Sequence, residues 1–277
     1  MLRSNLTSRP SVRVLAAALG TCLAACSDAG LLRRGAMPST PLPAVVAIRN
    51  DAAHRGMAVY DRNCESCHGE RGDGRGSSAA LAVPRPRNFV TAIFHCRSTA
   101  SGSLPLPSDL AVTTQRGVHD TAMPGWEPLG TSQIRDVTEY LRTFSPRWRD
   151  EPVPYPIQIP AEPPDDGASR ARGEALYARA CVSCHGDHGL GDGPAASALR
   201  DEAGQPIAPF DFTNGELRCG SEPSDMYRTL MTGMDGTPMP SFSASFTPID
   251  AWDVVHHVRS LRSSAPTNEV DVHAHHH

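Results

Sequence analysis

Apolar and small residues recur at helical spacing in several short segments of this chain. Arg55 to Arg62 and Arg170 to Arg179 carry them at intervals that predict one helix each. Thr131 to Phe144 sets Ile134, Val137, Leu141 and Phe144 on one face, with Thr131 or Ser132 as the predicted cap. Asp250 to Leu261 repeats the pattern with Val254, Val255, Val258 and Leu261. Asp109 to Arg116 and Ser224 to Thr232 predict shorter helices. Strict alternation of apolar and polar residues persists nowhere, so the expected fold class is all-α, in small, loop-rich domains.

The helical segments belong to a duplication. RGMAVYDRNCESCHGERGDG near residue 60 is answered by RGEALYARACVSCHGDHGLGDG near residue 177. Gly56, Tyr60, Cys64, Cys67 and His68 match Gly173, Tyr177, Cys181, Cys184 and His185 at an offset of 117. PRNFVTAIFHCRS then parallels PFDFTNGELRCGS, aligning Phe89 and Cys96 with Phe212 and Cys219. RGVHDTAMPGW parallels TGMDGTPMPSF, setting Met123 against Met239, and VTEYLRTF parallels VVHHVRSL. Blocks kept in order with shifting offsets mean one domain copied, with loop insertions. The copies are expected at 51–146 and 169–265. The linker at 147–168 is rich in proline, which fixes φ and removes donors, so an extended, semi-rigid connector is expected.

Composition narrows the chemistry. Aromatic residues make up 5 % of the 277, and two small domains have marginal cores without a staple or a cofactor. All 26 lysine-or-arginine residues are arginine, which excludes a lysine nucleophile or Schiff base. A net charge of −4 gives no basic footprint for nucleic acid. Arg3, Arg9 and Arg13 precede the apolar run VLAAALGTCLAAC, the pattern of a signal peptide over 1–25. That run is short for a membrane span, and no transmembrane helix is expected in the mature chain. Leu23-Ala24-Ala25-Cys26 resembles a bacterial lipobox, with Cys26 as the lipidated residue. Ser27 in place of aspartate implies the outer membrane of a Gram-negative bacterium, facing the periplasm. Loss of the leader would take the net charge from −4 to −7. Residues 26–50 read as a flexible tether, and 266–277 as a disordered tail, with adventitious metal binding by its histidines as the alternative.

Cys-x-x-Cys-His is a covalent haem attachment signature. Two thiols on one helical turn add across the haem vinyl groups, and the next histidine meets the iron. Two copies at matched positions, with no further CxxC to complete a zinc cluster, point to two covalently bound haem c groups. Each copy resembles a class I c-type cytochrome domain, and the pair resembles a dihaem cytochrome c. The resemblance implies attachment at Cys64, Cys67, Cys181 and Cys184, with axial pairs His68/Met123 and His185/Met239. Met226, Met231 and Met234 are then packing residues. It also implies a proline carbonyl on the free ring nitrogen of each histidine, from Pro86 and Pro209, and porphyrin packing by Tyr60, Tyr177, Trp126 and Phe242. Arg87 is a weak propionate partner because Phe210 replaces it, and His256 and His257 read as surface residues.

Cys96 and Cys219 depart from that family pattern. In an oxidising compartment a bridge between them across a pseudo-twofold interface is the first reading. Buried free thiols and a thiolate haem ligand are the alternatives. Two six-coordinate haems imply a carrier of single electrons between redox proteins, whose donor and acceptor the sequence does not name. The first copy counts as neutral and the second as −4, so the second is expected to meet a basic partner. The alternative is a dihaem redox enzyme, peroxidase-like or thiosulfate-oxidising, or its electron-transfer subunit. Haem-based gas sensing is a third reading without a signalling module.

Overall fold

The computed structural model describes residues 51–263. The expected leader, Cys26, the tether and the histidine tail lie outside the described residues. In the first copy α1 (Asp51–Asn63) runs into α2 (Glu65–His68), followed by α3 (Pro107–Arg116) and α4 (Gly130–Leu141). A short α5 (Arg147–Asp150) leads away from it. The second copy repeats the order with α6 (Gly167–Ala180), α7 (Val182–His185), α8 (Pro223–Thr232) and α9 (Pro248–Ser263). Pairing in extended backbone among the described residues is limited to the isolated bridges Thr99–Pro156 and Arg200–Pro206. The all-α class holds.

Most helices begin earlier than apolar spacing predicts, because their first turns are polar or start with proline. Pro107 and Pro223 open α3 and α8, where a missing N–H costs nothing. Asp166 caps α6 by accepting from Ser169 N at 2.8 Å. At α4 neither Thr131 nor Ser132 caps the helix: the cap position is Leu129, without a side-chain bond.

The first and last helices of each copy cross in close contact. Gly56 in α1 meets the backbone of Asp136 in α4, and Gly173 in α6 meets that of Asp253 in α9. A Cβ at either glycine would overlap the facing carbonyl. Arg55 clamps the first crossing by donating to both carboxylate oxygens of Asp136, at 2.7 and 2.9 Å. Arg172 does the same to Asp253, at 2.6 and 2.8 Å. Around the crossings lie two cores. One gathers Val59, Tyr60, Phe89, Val137 and Leu141; the other is built on Tyr177, Tyr227, Leu230, Trp252 and Val255.

His256 and His257, expected at the surface, are buried. His256 Nδ1 lies 2.7 Å from Ser169 Oγ, which donates to Asp253, and its Nε2 lies 3.3 Å from Glu162. His257 packs on Tyr177, with ring centroids 5.1 Å apart. Polar partners on the inner helix face make the burial of His256 tolerable, whereas His257 Nε2 is buried with no hydrogen-bond partner among the described residues.

The connector is helical over its first four residues, where an extended segment was expected. Arg147 accounts for this: it pairs with Glu151 one turn on and donates to Ala92 O at 2.8 Å. Beyond it the chain is tied to both copies. Ile157 N donates to Ser98 O at 2.7 Å, and Glu162 accepts from Arg259 at 3.0 Å.

A disulfide joins Cys96 to Cys219 across the two copies, with 5.2 Å between Cα atoms. Three guanidiniums gather beside it. Burial first, then Arg87, Arg218 and Arg97, hold the His95 pKa well below its ordinary value, so the ring is neutral and accepts from Arg87. Arg87 also pairs at 3.0 Å with Glu202, which belongs to an insertion found only in the second copy.

Replacing Gly173 by alanine should cost about 1–3 kcal/mol by forcing α6 and α9 apart. Thermal unfolding of the variant reads this as a Tm several degrees lower; an unchanged Tm contradicts the close crossing. Peptide mapping after alkylation of the unfolded chain should find Cys96 and Cys219 unmodified until a reductant is added. Alkylation at either without reductant contradicts the bridge.

Candidate haem sites

The two thiols of each motif are carried on a single turn. Cys67 N and His68 N both donate to Cys64 O, at 3.1 and 2.8 Å, and Cys184 N and His185 N to Cys181 O at 3.1 and 2.9 Å. The turn is held from the preceding helix by a buried tyrosine: Tyr60 donates to Gly69 O at 2.7 Å, and Tyr177 to Gly186 O at 2.8 Å. Apolar surroundings keep the first thiol of each motif protonated. Burial, then the second cysteine, pushes Cys64 up to about 11 and Cys181 up to about 12.

Each motif histidine is prepared as a neutral ligand. Burial lowers the pKa of His68 and of His185, which favours imidazole over imidazolium. Nδ1–H of His68 donates to Arg87 O at 3.0 Å, and that of His185 to Phe210 O at 3.3 Å. The donation fixes the tautomer and leaves the Nε2 lone pair for a metal. Pro86 and Pro209 were expected to supply these carbonyls; the acceptor is the next residue in both copies. Phe89 stacks on His68 and Phe212 on His185, each with centroids 4.5 Å apart. The Arg87 side chain is engaged by Glu202 and His95.

Met123 and Met239 sit in loops closed by the same three hydrogen bonds. In the first copy Val118 N donates to Met123 O at 3.0 Å, Met123 N to Thr121 Oγ1 at 3.1 Å, and Thr121 Oγ1 to Val118 O at 2.7 Å. In the second, Met234 N donates to Met239 O at 3.1 Å, Met239 N to Thr237 Oγ1 at 3.1 Å, and Thr237 Oγ1 to Met234 O at 2.7 Å. Sequence reasoning missed both threonines, although Thr-x-Met-Pro stands in both copies. Each loop follows a helix ended by a left-handed glycine, Gly117 or Gly233, against which the loop backbone packs.

The second copy encloses a cavity of about 440 Å³ lined by Cys181, Cys184, His185 and Met239 together. Its other walls are largely apolar, among them Phe212, Leu230, Phe242 and Val255. Met226 and Met234 also line it, Met226 from α8 within the core and Met234 from the base of the methionine loop, where its backbone closes the ring on Met239. Arg218 reaches this wall too, and its Nε is buried with no hydrogen-bond partner among the described residues. An apolar slot with paired thiols, a neutral imidazole, a thioether and one unsatisfied guanidinium nitrogen fits a covalent haem with its carboxylates. Cys64, Cys67, His68 and Met123 would hold the first haem; Cys181, Cys184, His185 and Met239 would hold the second. When bound, such a group supplies a one-electron iron couple.

Comparison with known proteins agrees with this chemistry. The family described as cytochrome c oxidase, cbb3-type, subunit III matches residues 51–141 and again 168–258. The cbb3-type cytochrome c oxidase subunit CcoP of Rhodobacter capsulatus is 25 % identical over 188 residues, which cover 68 % of this chain and 52 % of that protein. CcoP of Cereibacter sphaeroides is 25 % identical over 241 residues, covering 85 % and 71 %. The chain thus spans about half the length of the Rhodobacter relative. A chain of the Kuenenia stuttgartiensis reducing HAO-like protein complex Kustc0457/Kustc0458 superposes with a TM-score of 0.73 at 36 % identity, covering 75 % of this chain and 95 % of that one. With a tandem match over both motif-bearing copies, the chain belongs to the cytochrome c oxidase, cbb3-type, subunit III family, as a c-type cytochrome with two haems that transfers electrons.

Proposed function

We propose that this cytochrome is exported to the periplasm, anchored by lipid at Cys26, and passes single electrons between two protein partners. Its irons are ligated by His68 and Met123 in the first copy and by His185 and Met239 in the second. The observation that carries the ligand assignment is the identical hydrogen-bonded ring that fixes the two methionine loops. Other methionines lie nearby in the second copy, and Met234 opens the ring itself, but Met239 alone has a methionine, Met123, at the same place in the first copy's ring, which supports it as the ligand. A thioether opposite an imidazole favours ferrous iron and raises the potential, and it leaves no iron position open to substrate. That favours a carrier over a peroxidase-like or thiosulfate-oxidising enzyme.

The names of the relatives support a place as the electron-transfer subunit of a larger oxidoreductase, or as a shuttle to one. Apart from Arg87 and Glu202, which pair with each other across the copies, the charges of the two motif loops favour different partners. The loop after the first motif carries Arg71, Arg75, Arg85 and Arg87 against Glu70 and Asp73. The corresponding loop of the second copy carries Asp187, Asp192, Asp201, Glu202 and Asp211 against Arg200. A basic partner is therefore drawn to the second copy, through contacts that salt screens.

Potentiometric titration tests the ligands. Met123→Ala and Met239→Ala should each lower one of the two potentials by more than about 100 mV, a part of the ≈ 0.8 V that axial ligands span. An unchanged titration removes that methionine from its iron. Stopped-flow mixing with a basic cytochrome c as probe should show a second-order rate about tenfold lower at 0.2 M than at 0.01 M ionic strength. A rate flat in salt contradicts the acidic docking face.

A further inference from the structure

The disulfide is flanked on each side by an arginine that leaves its own copy. Arg97 follows Cys96, and its side chain is fully buried. It donates to Thr232 O at 2.7 Å and to Gly233 O at 3.5 Å, and pairs with Asp235 at 2.8 Å, all in the second copy. Thr232 and Gly233 end α8, and Asp235 lies inside the ring that closes on Met239. Ser101 Oγ and Gly102 N of the first copy add bonds to the same carboxylate, at 2.8 and 2.7 Å. Arg218 precedes Cys219 and reaches the opposite way. Its Nη2 pairs at 3.0 Å with Asp120, inside the ring that closes on Met123.

The two contacts differ in strength. Arg97 and Asp235 are 0 % and 17 % exposed, with three first-copy donors on one carboxylate. Arg218 and Asp120 are 14 % and 63 % exposed, no further donor meets the Asp120 carboxylate among the described residues, and the position aligned with Asp235 is His119. A buried charged hydrogen bond resists opening, whereas an exposed ion pair is worth little.

We propose that Arg97 and Arg218 are positioning residues acting across the duplication, each holding the methionine loop of the opposite copy, Arg97 firmly and Arg218 loosely. The two haem ligand sets are thereby completed from outside their own copies. Met123 is the thioether more readily displaced from its iron. This rests on the methionine ligation proposed above, and the test separates the two.

The test uses the full-length holoprotein, read by the methionine–iron charge-transfer band of the oxidised form and by imidazole titration. In the Met123→Ala background the remaining band reports the second haem, and in Met239→Ala the first. If a background retains the band of its mutated copy, the ligand assignment fails whatever the arginines do. Given that assignment, Arg97→Gln should weaken the band in the Met123→Ala background and raise imidazole affinity there at least tenfold. It should leave the Met239→Ala background unchanged, and Arg97→Lys should restore part of the band. Asp235→Asn, which keeps Arg97 and its carbonyl bonds to Phe94 and Ala100 in its own copy and to Thr232 and Gly233 in the other, should shift the same site in the same direction by less, and serves if Arg97→Gln does not fold. In the wild-type protein imidazole should occupy the first haem before the second. Equal bands and affinities with and without Arg97, or with Asp235→Asn where Arg97→Gln does not fold, or imidazole entering the second haem first, overturn the proposal.

Discussion

The glycine-lined crossing of first and last helices is the contact from which each copy is assembled. Gly56 and Gly173 let two backbones approach to a distance that any side chain would forbid, and Arg55 and Arg172 lock the crossing through a buried carboxylate. The first helix ends in the cysteine turn, so the crossing sets where the two thiols and the histidine stand relative to the core. The loop that follows returns under that turn and delivers a carbonyl to the imidazole. The third helix then launches the methionine loop from a left-handed glycine. Attachment, proximal ligand and methionine loop thus hang on one helix pair.

The duplication has not left two independent beads. A disulfide, a buried arginine and an insertion from the second copy knit the seam, and the connector is pinned to both sides. The elements at the seam bear on the segments that carry the candidate haem residues rather than on bare surface. Arg87 lends its carbonyl to His68 while its side chain is held by Glu202 of the other copy. Two haem domains joined in this way can differ in potential and in ligand lability although their motifs are nearly identical.

What was legible in the sequence was whatever chemistry ties to a residue type. Covalent attachment needs cysteine, the proposed ligation of the iron takes histidine and a thioether, and duplication made each stand out twice. Backbone groups leave no such signature: the carbonyls on His68 and His185 come from an arginine and a phenylalanine, one residue beyond the prolines that the family pattern suggested. Tertiary partners were equally hidden. His256 reads as a surface residue until Ser169 from α6 and Glu162 from the connector close around it. Thr121 and Thr237 were visible as a repeat, but an ordinary loop threonine carries no mark of the hydrogen bonds it closes. Arg97 follows an unexplained cysteine, and only the fold shows that its side chain bonds to the end of α8 and the methionine loop of the other copy.

The central claim is that each copy presents one histidine and one methionine to its own iron. Near-infrared magnetic circular dichroism of the fully oxidised full-length protein addresses it directly, because axial ligand pairs give separate charge-transfer bands. Two low-spin haems, both with histidine–methionine bands, are the predicted result. A bis-histidine, thiolate or high-spin signal from either haem would contradict the account.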